Sequence, residues 1–346
     1  MSVADLITSV ADGVGRITLN RPHVLNALTH EMISGIADAL ERWRTDSEVA
    51  MVVIDGAGDR GLCAGGDIRG LREHALSGRN DLSRRFWRDE YELCATIDEY
   101  PKPYIAFMTG ITMGGGVGVS AHGSIRIVTE TSRVAMPETR IGFSPDVGGS
   151  WLLARAPGEL GTYLALNGVT MSGADAVACG FADYYVPVDR LPHLLQAFGE
   201  RADPGSPGEV VLLFDETPPA SELEQKREWI DRCYSADSVA EILERLRDEA
   251  GAAAAAAALE LESLSPMALT VALAAVRRAR ELGSLRDVLA QEYRTSAWLA
   301  AQPDLAEGIR AQVVDKDRSP NWTPSSLDAV PDSLAAAALA HEPPRH

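Results

Sequence analysis

The sequence predicts an α/β core over residues 1–201 followed by a helical region, and three observations carry that expectation. Between residues 50 and 190, short apolar segments interleave with segments of helical period, the pattern of an α/β layer architecture. ADPGSPG at 202–208 concentrates proline and glycine and marks a boundary. Beyond it the helical period runs almost unbroken and includes seven alanines at 252–258, which are strong helix formers. The expected division is a core at 1–201, a helical region at 209–330 and a frayed tail at 331–346.

Taken in order, 6–10 and 15–19 read as a hairpin about Asp12-Gly13, with Ile17 and Leu19 alternating. Thr29 is placed to cap a helix to about Arg44, with Met32, Ile33, Ile36 and Leu40 on one face. Residues 51–54 form a short, wholly apolar strand of the buried kind. The loop GAGDRGLCAGGD follows, with a helix starting near Asp67, a polar and flexible stretch at 69–80, and a long amphipathic helix at 81–100. In that helix Phe86, Leu93 and Ile97 point inward, and Pro101 and Pro103 end it. A strand at 104–108, a turn at Gly110, a short helix opened by three glycines at 114–116 and a strand at 124–128 come next. Short helices are expected at 160–166 and 174–179, and a last strand at 184–186. Helices at 221–234, 239–264, 267–282, 285–300 and 304–315 fill the C-terminal region.

The bulk properties exclude several classes. Hydrophobic content of 46% with 24% charged residues is that of a soluble globular chain, and no run of 18 apolar residues predicts a membrane span. MSVADLITSVADG has two aspartates and no basic region, unlike a signal or transit peptide, so a cytoplasmic location is expected. Cys63, Cys94, Cys179 and Cys233 lie far apart without a C-x-x-C, which reads as buried free thiols rather than zinc or redox sites. A net charge of −18 argues against nucleic acid. A phosphate-bearing ligand would need a local patch made mostly of arginine, since only three lysines occur.

The chemistry concentrates in 104–149. Three glycines between a strand and a helix let a ligand approach bare backbone, and free N–H groups there suit a developing oxyanion. Glu138 and Asp146 follow, eight residues apart. Each has an ordinary reading beside the catalytic one: an exposed loop acid for Glu138, a turn or capping residue for Asp146. Gly118-Val-Ser120-Ala-His122 and Gly142-Phe-Ser144-Pro-Asp146 lack the last glycine of a nucleophile elbow, so a serine hydrolase is excluded. Gly116-Val-Gly118-Val-Ser-Ala121 fits a dinucleotide fingerprint only loosely, with too few residues before the next strand for a crossover helix. His122, among small residues at a helix end, reads as a packed or capping histidine.

C-A-G-G-D-I at 63–68, I-T-M-G-G-G-V-G at 111–118, M-P-E-T at 136–139 and S-P-D-V-G-G at 144–149 resemble the crotonase (enoyl-CoA hydratase/isomerase) superfamily. The likeness extends over N-R-P at 20–22, N-A-L at 26–28, R-F-W-R-D-E-Y at 85–91, E-G-I-R-A at 307–311 and D-K-D-R at 315–318. Within the superfamily these motifs resemble the branch that hydrolyses 3-hydroxyisobutyryl-CoA in valine breakdown.

The resemblance implies a crotonase-like core of repeated ββα units, a C-terminal helical region and acyl-CoA thioester substrates. It casts Gly66 and Gly115 as the oxyanion-hole donors, Glu138 as the retained catalytic glutamate and Asp146 as the second acid. Glu90 becomes a substrate contact beside Gly115, Glu138 and Asp146. Where hydratases have a second glutamate this chain has Gly118, which argues against adding water to a double bond. His23 replaces the usual lysine after N-R-P and would weaken a contact to the CoA phosphates. No metal or cofactor is implied, CoA being part of the substrate. Trimers and hexamers are frequent in the family, so a homo-oligomer stands open beside a chain whose helices fold back over its own core. Two alternatives also stay open: another crotonase activity, hydratase or isomerase, and an acyl-CoA-binding protein without catalysis.

Overall fold

The structure is a computed structural model that describes residues 4–200 and 206–344. It divides into two compact units, each assembled from three stretches of chain: Met1–Gly66, Asp89–Ala135 and Met171–Glu222 in the first, Asp67–Arg88, Met136–Thr170 and Leu223–His346 in the second. Neither unit therefore corresponds to a single cut in the chain. Residues 202–205 of the expected boundary lie outside the described residues, and Pro207 opens a short helix, Pro207–Val211.

The strands of the first unit, among the described residues, are β1 (Leu6–Ala11), β2 (Val14–Leu19), β3 (Met51–Gly56), β4 (Tyr104–Met108), β5 (Ile111–Met113), β6 (Ile125–Val128), β7 (Arg133–Ala135), β8 (Met171–Ser172) and β9 (Tyr184–Tyr185). Six form a sheet in the order β1-β2-β3-β4-β6-β9. β1 and β2 are the expected antiparallel hairpin, with Leu6 opposite Leu19. The other pairings are parallel: Val14 with Met51, Val52 with Tyr104, Ile105 with Ile125 and Ile127 with Tyr184. Because side chains alternate along a strand, Met51, Val53, Ile105, Phe107, Ile125 and Ile127 share one face. Leu191, Leu194 and Phe198 of the helix Leu191–Gly199 pack with them. Val52, Ile54, Ala106 and Met108, on the other face, are equally buried, as a parallel sheet requires.

Helix His30–Arg44 starts at Thr29, whose hydroxyl accepts from the Met32 amide at 3.2 Å, and it buries Met32, Ile33, Ile36 and Leu40 as expected. The second sheet, β5-β7-β8, was not anticipated. Strands of two or three residues are too short for a period of two to be legible.

The second unit is helical. Residues expected to be flexible after position 68 form the helix Ile68–Leu76 with Leu71 buried. In the helix Asn80–Asp98, of which this unit holds the part up to Arg88, the fully buried aromatic is Trp87 rather than Phe86, and Trp87 stacks on Phe143 at 5.3 Å. The helix expected at 239–264 is two, Val239–Asp248 and Ala252–Ser263, broken at Gly251 where φ is +118°. Pro303–Ile309 continues into a π-helical turn, Arg310–Val314. The tail expected to fray contains the helix Leu334–Leu339, with Leu334 and Ala338 buried. No single helix among the described residues is long and apolar enough to cross a membrane.

Candidate active site

Three of the expected site residues meet in the first unit. The loop after β3 is fastened residue by residue: the Leu62 amide donates to Thr109 O at 2.9 Å, Cys63 N to Ile111 O at 3.0 Å, and Met113 N returns to Cys63 O at 2.9 Å. On its other side Ala64 N donates to Leu25 O at 3.0 Å and Leu28 N to Gly65 O at 2.9 Å. Asn26 explains the N-A-L motif. Its amide nitrogen donates to Gly61 O at 3.0 Å and Ala57 O at 3.1 Å, while its oxygen accepts from Arg21 N at 2.9 Å. Held this way, Gly66 comes beside the glycine run. A Cβ placed on Gly115 would stand 3.3 Å from the Gly66 nitrogen and 2.7 Å from Oε1 of Glu90. Gly115, Gly66 and the Glu90 carboxylate thus converge, and Gly115 is the residue with room for nothing more.

Glu90 is 3% exposed. Burial, with the Glu90 charge adding to it, pushes the neighbouring Cys63 thiol up to about 12, so that thiol is no nucleophile. The four cysteines are buried and free, as expected. Gly118, fully buried, ends the short helix Gly115–Gly118, so the position where hydratases have glutamate has no side chain.

Glu138 and Asp146 belong to the second unit, and each is 7% exposed, which excludes the exposed-loop reading of Glu138. Glu138 opens a 3-10 turn, Glu138–Ile141, that the rest of the unit grips. Thr139 Oγ1 donates to Leu166 O at 3.1 Å, Arg140 Nη2 to Asn167 O at 3.0 Å, and Phe143 stacks on Trp87. Gly142 closes the turn at φ +69°, and a Cβ there would lie 2.6 Å from Asp304 O, so the segment Pro303–Ile309 packs directly on it.

Asp146 stands in the loop before the helix Gly149–Arg155, and its carbonyl accepts from Gly149 N at 2.6 Å. One neighbour escaped the sequence reading. Glu292, in the helix Leu285–Leu299, is wholly buried and accepts from Gly148 N at 2.7 Å and Ser150 N at 2.9 Å. Burial first, with the charge of Asp146 adding to it, pushes its pKa up to about 8.

A parallel sheet with glycine-lined loops, joined to a helical unit carrying buried acids, is the crotonase type of α/β protein. The chain belongs to the enoyl-CoA hydratase/isomerase family, whose model matches residues 14–339. It is 43% identical over 328 residues, 92% of its length and 85% of the relative's, to the mitochondrial 3-hydroxyisobutyryl-CoA hydrolase of Danio rerio. A crystal structure of a carnitinyl-CoA dehydratase from Mycobacterium thermoresistibile superposes with a TM-score of 0.93 at 48% identity, covering 98% of this chain and 97% of that one. A crystal structure of an enoyl-CoA hydratase from Rhodobacter sphaeroides 2.4.1 gives 0.91 at 41%, covering 98% of each. The expected cytoplasmic location does not stand: curated relatives at 37–43% identity are named as mitochondrial proteins.

Proposed function

We propose that the chain is an acyl-CoA thioester hydrolase that cleaves 3-hydroxyisobutyryl-CoA to 3-hydroxyisobutyrate and CoA, a step of valine breakdown. The observation that carries the reading is the set of acids. Glu138, Asp146 and Glu90 are present and buried, while Gly118 leaves no second glutamate for hydration. The name shared by the curated relatives supports it.

In this reading the amides of Gly66 and Gly115 receive the thioester oxygen as it gains charge, each contributing about 3 kcal/mol to the transition state. Glu138 either activates a water for attack on the carbonyl or attacks it directly to form an anhydride that water then opens. The C–S bond breaks and CoA leaves as thiol, taking up the proton released by water. Asp146 orients the water, the glutamate or the substrate hydroxyl. Glu90, an acceptor when ionised, receives the 3-hydroxyl of the acyl chain. The reaction so written calls for no metal and no cofactor beyond the CoA of the substrate. A trimeric or hexameric homo-oligomer, frequent among crotonases, is part of the same proposal, and light scattering reads it directly.

A second reading, hydratase or dehydratase, is favoured by the names of the two solved structures at 48% and 41% identity. One experiment separates the two. Thiol release from 3-hydroxyisobutyryl-CoA is measured beside hydration of crotonyl-CoA. Release without hydration is the expected result; hydration without release would replace the hydrolase reading.

A further inference from the structure

Between Asp146 and the helix Gly149–Arg155 the backbone takes a path that a free peptide would avoid. Val147 sits at φ +52° and Gly148 at +79°. For a β-branched residue the left-handed region is a true outlier, a strained conformation that persists only where surrounding structure over-determines it. Val147 is also 1% exposed, so the strain lies in the interior, one residue from Asp146.

Glu292 is one clamp on this turn. Its two carboxyl oxygens take the amides on either side of Gly149, Gly148 N at 2.7 Å and Ser150 N at 2.9 Å, and Ser150 Oγ adds a bond to Pro145 O at 3.3 Å. A helix start is ordinarily capped by a serine, threonine or aspartate one residue before it. Here the capping position is Gly148, and the acceptor arrives from a residue 144 positions away in sequence. The arrangement is costly on three counts: a strained valine, a wholly buried glutamate and a second acid beside it. A cap serving only stability would incur none of these, and such local violations gather where function sets the geometry.

We propose that Glu292 is a positioning residue that holds the Asp146 carboxylate in place, by gripping the strained Val147–Gly148 turn through the amides of Gly148 and Ser150. The proposal rests on the hydrolase reading only in taking Asp146 as a participant in turnover.

The test uses the full chain and the variants Glu292→Gln, Glu292→Asp, Asp146→Asn and the double variant Glu292→Gln with Asp146→Asn. Kinetics of thiol release from 3-hydroxyisobutyryl-CoA are recorded with the folded fraction of each. Glutamine keeps one acceptor and loses the other. Glu292→Gln is expected to lower kcat by about ten- to a hundred-fold, the scale of a small misplacement at a reacting centre, with KM little changed. In the Asp146→Asn background the same substitution should cost less than about three-fold, because two residues acting through one group are not additive. Glu292→Asp, with both acceptor oxygens, should recover part of kcat. A loss that multiplies equally in both backgrounds, or that follows the folded fraction alone, overturns the proposal. Should wild type release no thiol, the hydrolase reading falls separately. Amide exchange across 146–150 then decides: faster exchange in Glu292→Gln supports the grip on the turn, and unchanged exchange refutes it.

Discussion

Gly115→Ala tests the convergence of Gly115, Gly66 and Glu90 most directly. The added methyl would stand 2.7 Å from Glu90 Oε1 and 3.3 Å from both the Gly66 nitrogen and Leu28 Cδ1. The first contact is with the tip of a side chain, but Glu90 is buried and has to push into packed surroundings. Overpacking of this kind costs about 1–3 kcal/mol, part of which the better helix propensity of alanine offsets. A domain stable by about 5–15 kcal/mol remains folded through such a loss. Catalysis is affected more. Shifting one oxyanion donor lowers kcat by about a hundred- to a thousand-fold. The assay pairs thiol release at saturating substrate with urea unfolding followed by tryptophan fluorescence. Adding Glu90→Ala in the same chain removes the 2.7 Å clash, so stability should recover while kcat stays low. A kcat within about three-fold of wild type in folded Gly115→Ala would remove Gly115 from the oxyanion hole.

Glu138→Gln is expected to abolish thiol release while CoA-ester binding, read by calorimetry, survives; wild-type turnover would end its catalytic assignment. Glu90→Ala should erode the preference for 3-hydroxyisobutyryl-CoA over isobutyryl-CoA, mainly through kcat/KM of the hydroxylated substrate, because a site built for a hydroxyl rejects the analogue that lacks one. Equal kcat/KM for the two thioesters on wild type would refute hydroxyl recognition altogether. Glu292 also predicts a pH dependence of stability. Its pKa is raised from 4.5 to about 8, so the folded form binds the extra proton in that window and wild-type stability falls as pH rises through it. Unfolding at pH 5 and pH 9 should show that component in wild type and its loss in Glu292→Gln, and identical slopes would show that Glu292 does not titrate there.

Elements whose period could be read were foreseen: the β1–β2 hairpin, the helix capped by Thr29 and the buried strand at Met51 all lie where the sequence places them. The second sheet was not, because β5, β7 and β8 are held by pairing with distant partners rather than by any pattern of their own. The two units are equally illegible in one dimension, since each gathers three separate stretches. Glu292 left a trace that went unread. In Leu285–Leu299 the residues Leu285, Val288, Leu289, Glu292, Ser296 and Leu299 form one helical stripe and all are buried. An acid at a core position of such a stripe points to a partner, though the partner itself, the Gly148–Ser150 backbone, is invisible until the chain is folded.

The motifs that carried the family resemblance are not all chemical, and the structure sorts them. C-A-G-G-D-I and the glycine run bring Gly66 and Gly115 together, while N-A-L serves them from behind through Asn26. The tail motifs, far along the chain from Glu138, brace its turn. Gly308 of E-G-I-R-A has no side chain because a Cβ there would collide with the backbone of Ile141, in the turn that Glu138 opens. Arg310 of the same motif pairs with Glu307 at 2.8 Å and with Asp315 and Asp317 of D-K-D-R at 2.8 and 2.6 Å. Single pairs as exposed as these contribute little, but three carboxylates on one guanidinium fix the π-helical turn that follows Gly308. An insertion or a lost charge there would act on Glu138 through packing. The motifs at 138 and at 307–318 therefore pack as one piece, with the tail lying against the turn that Glu138 opens.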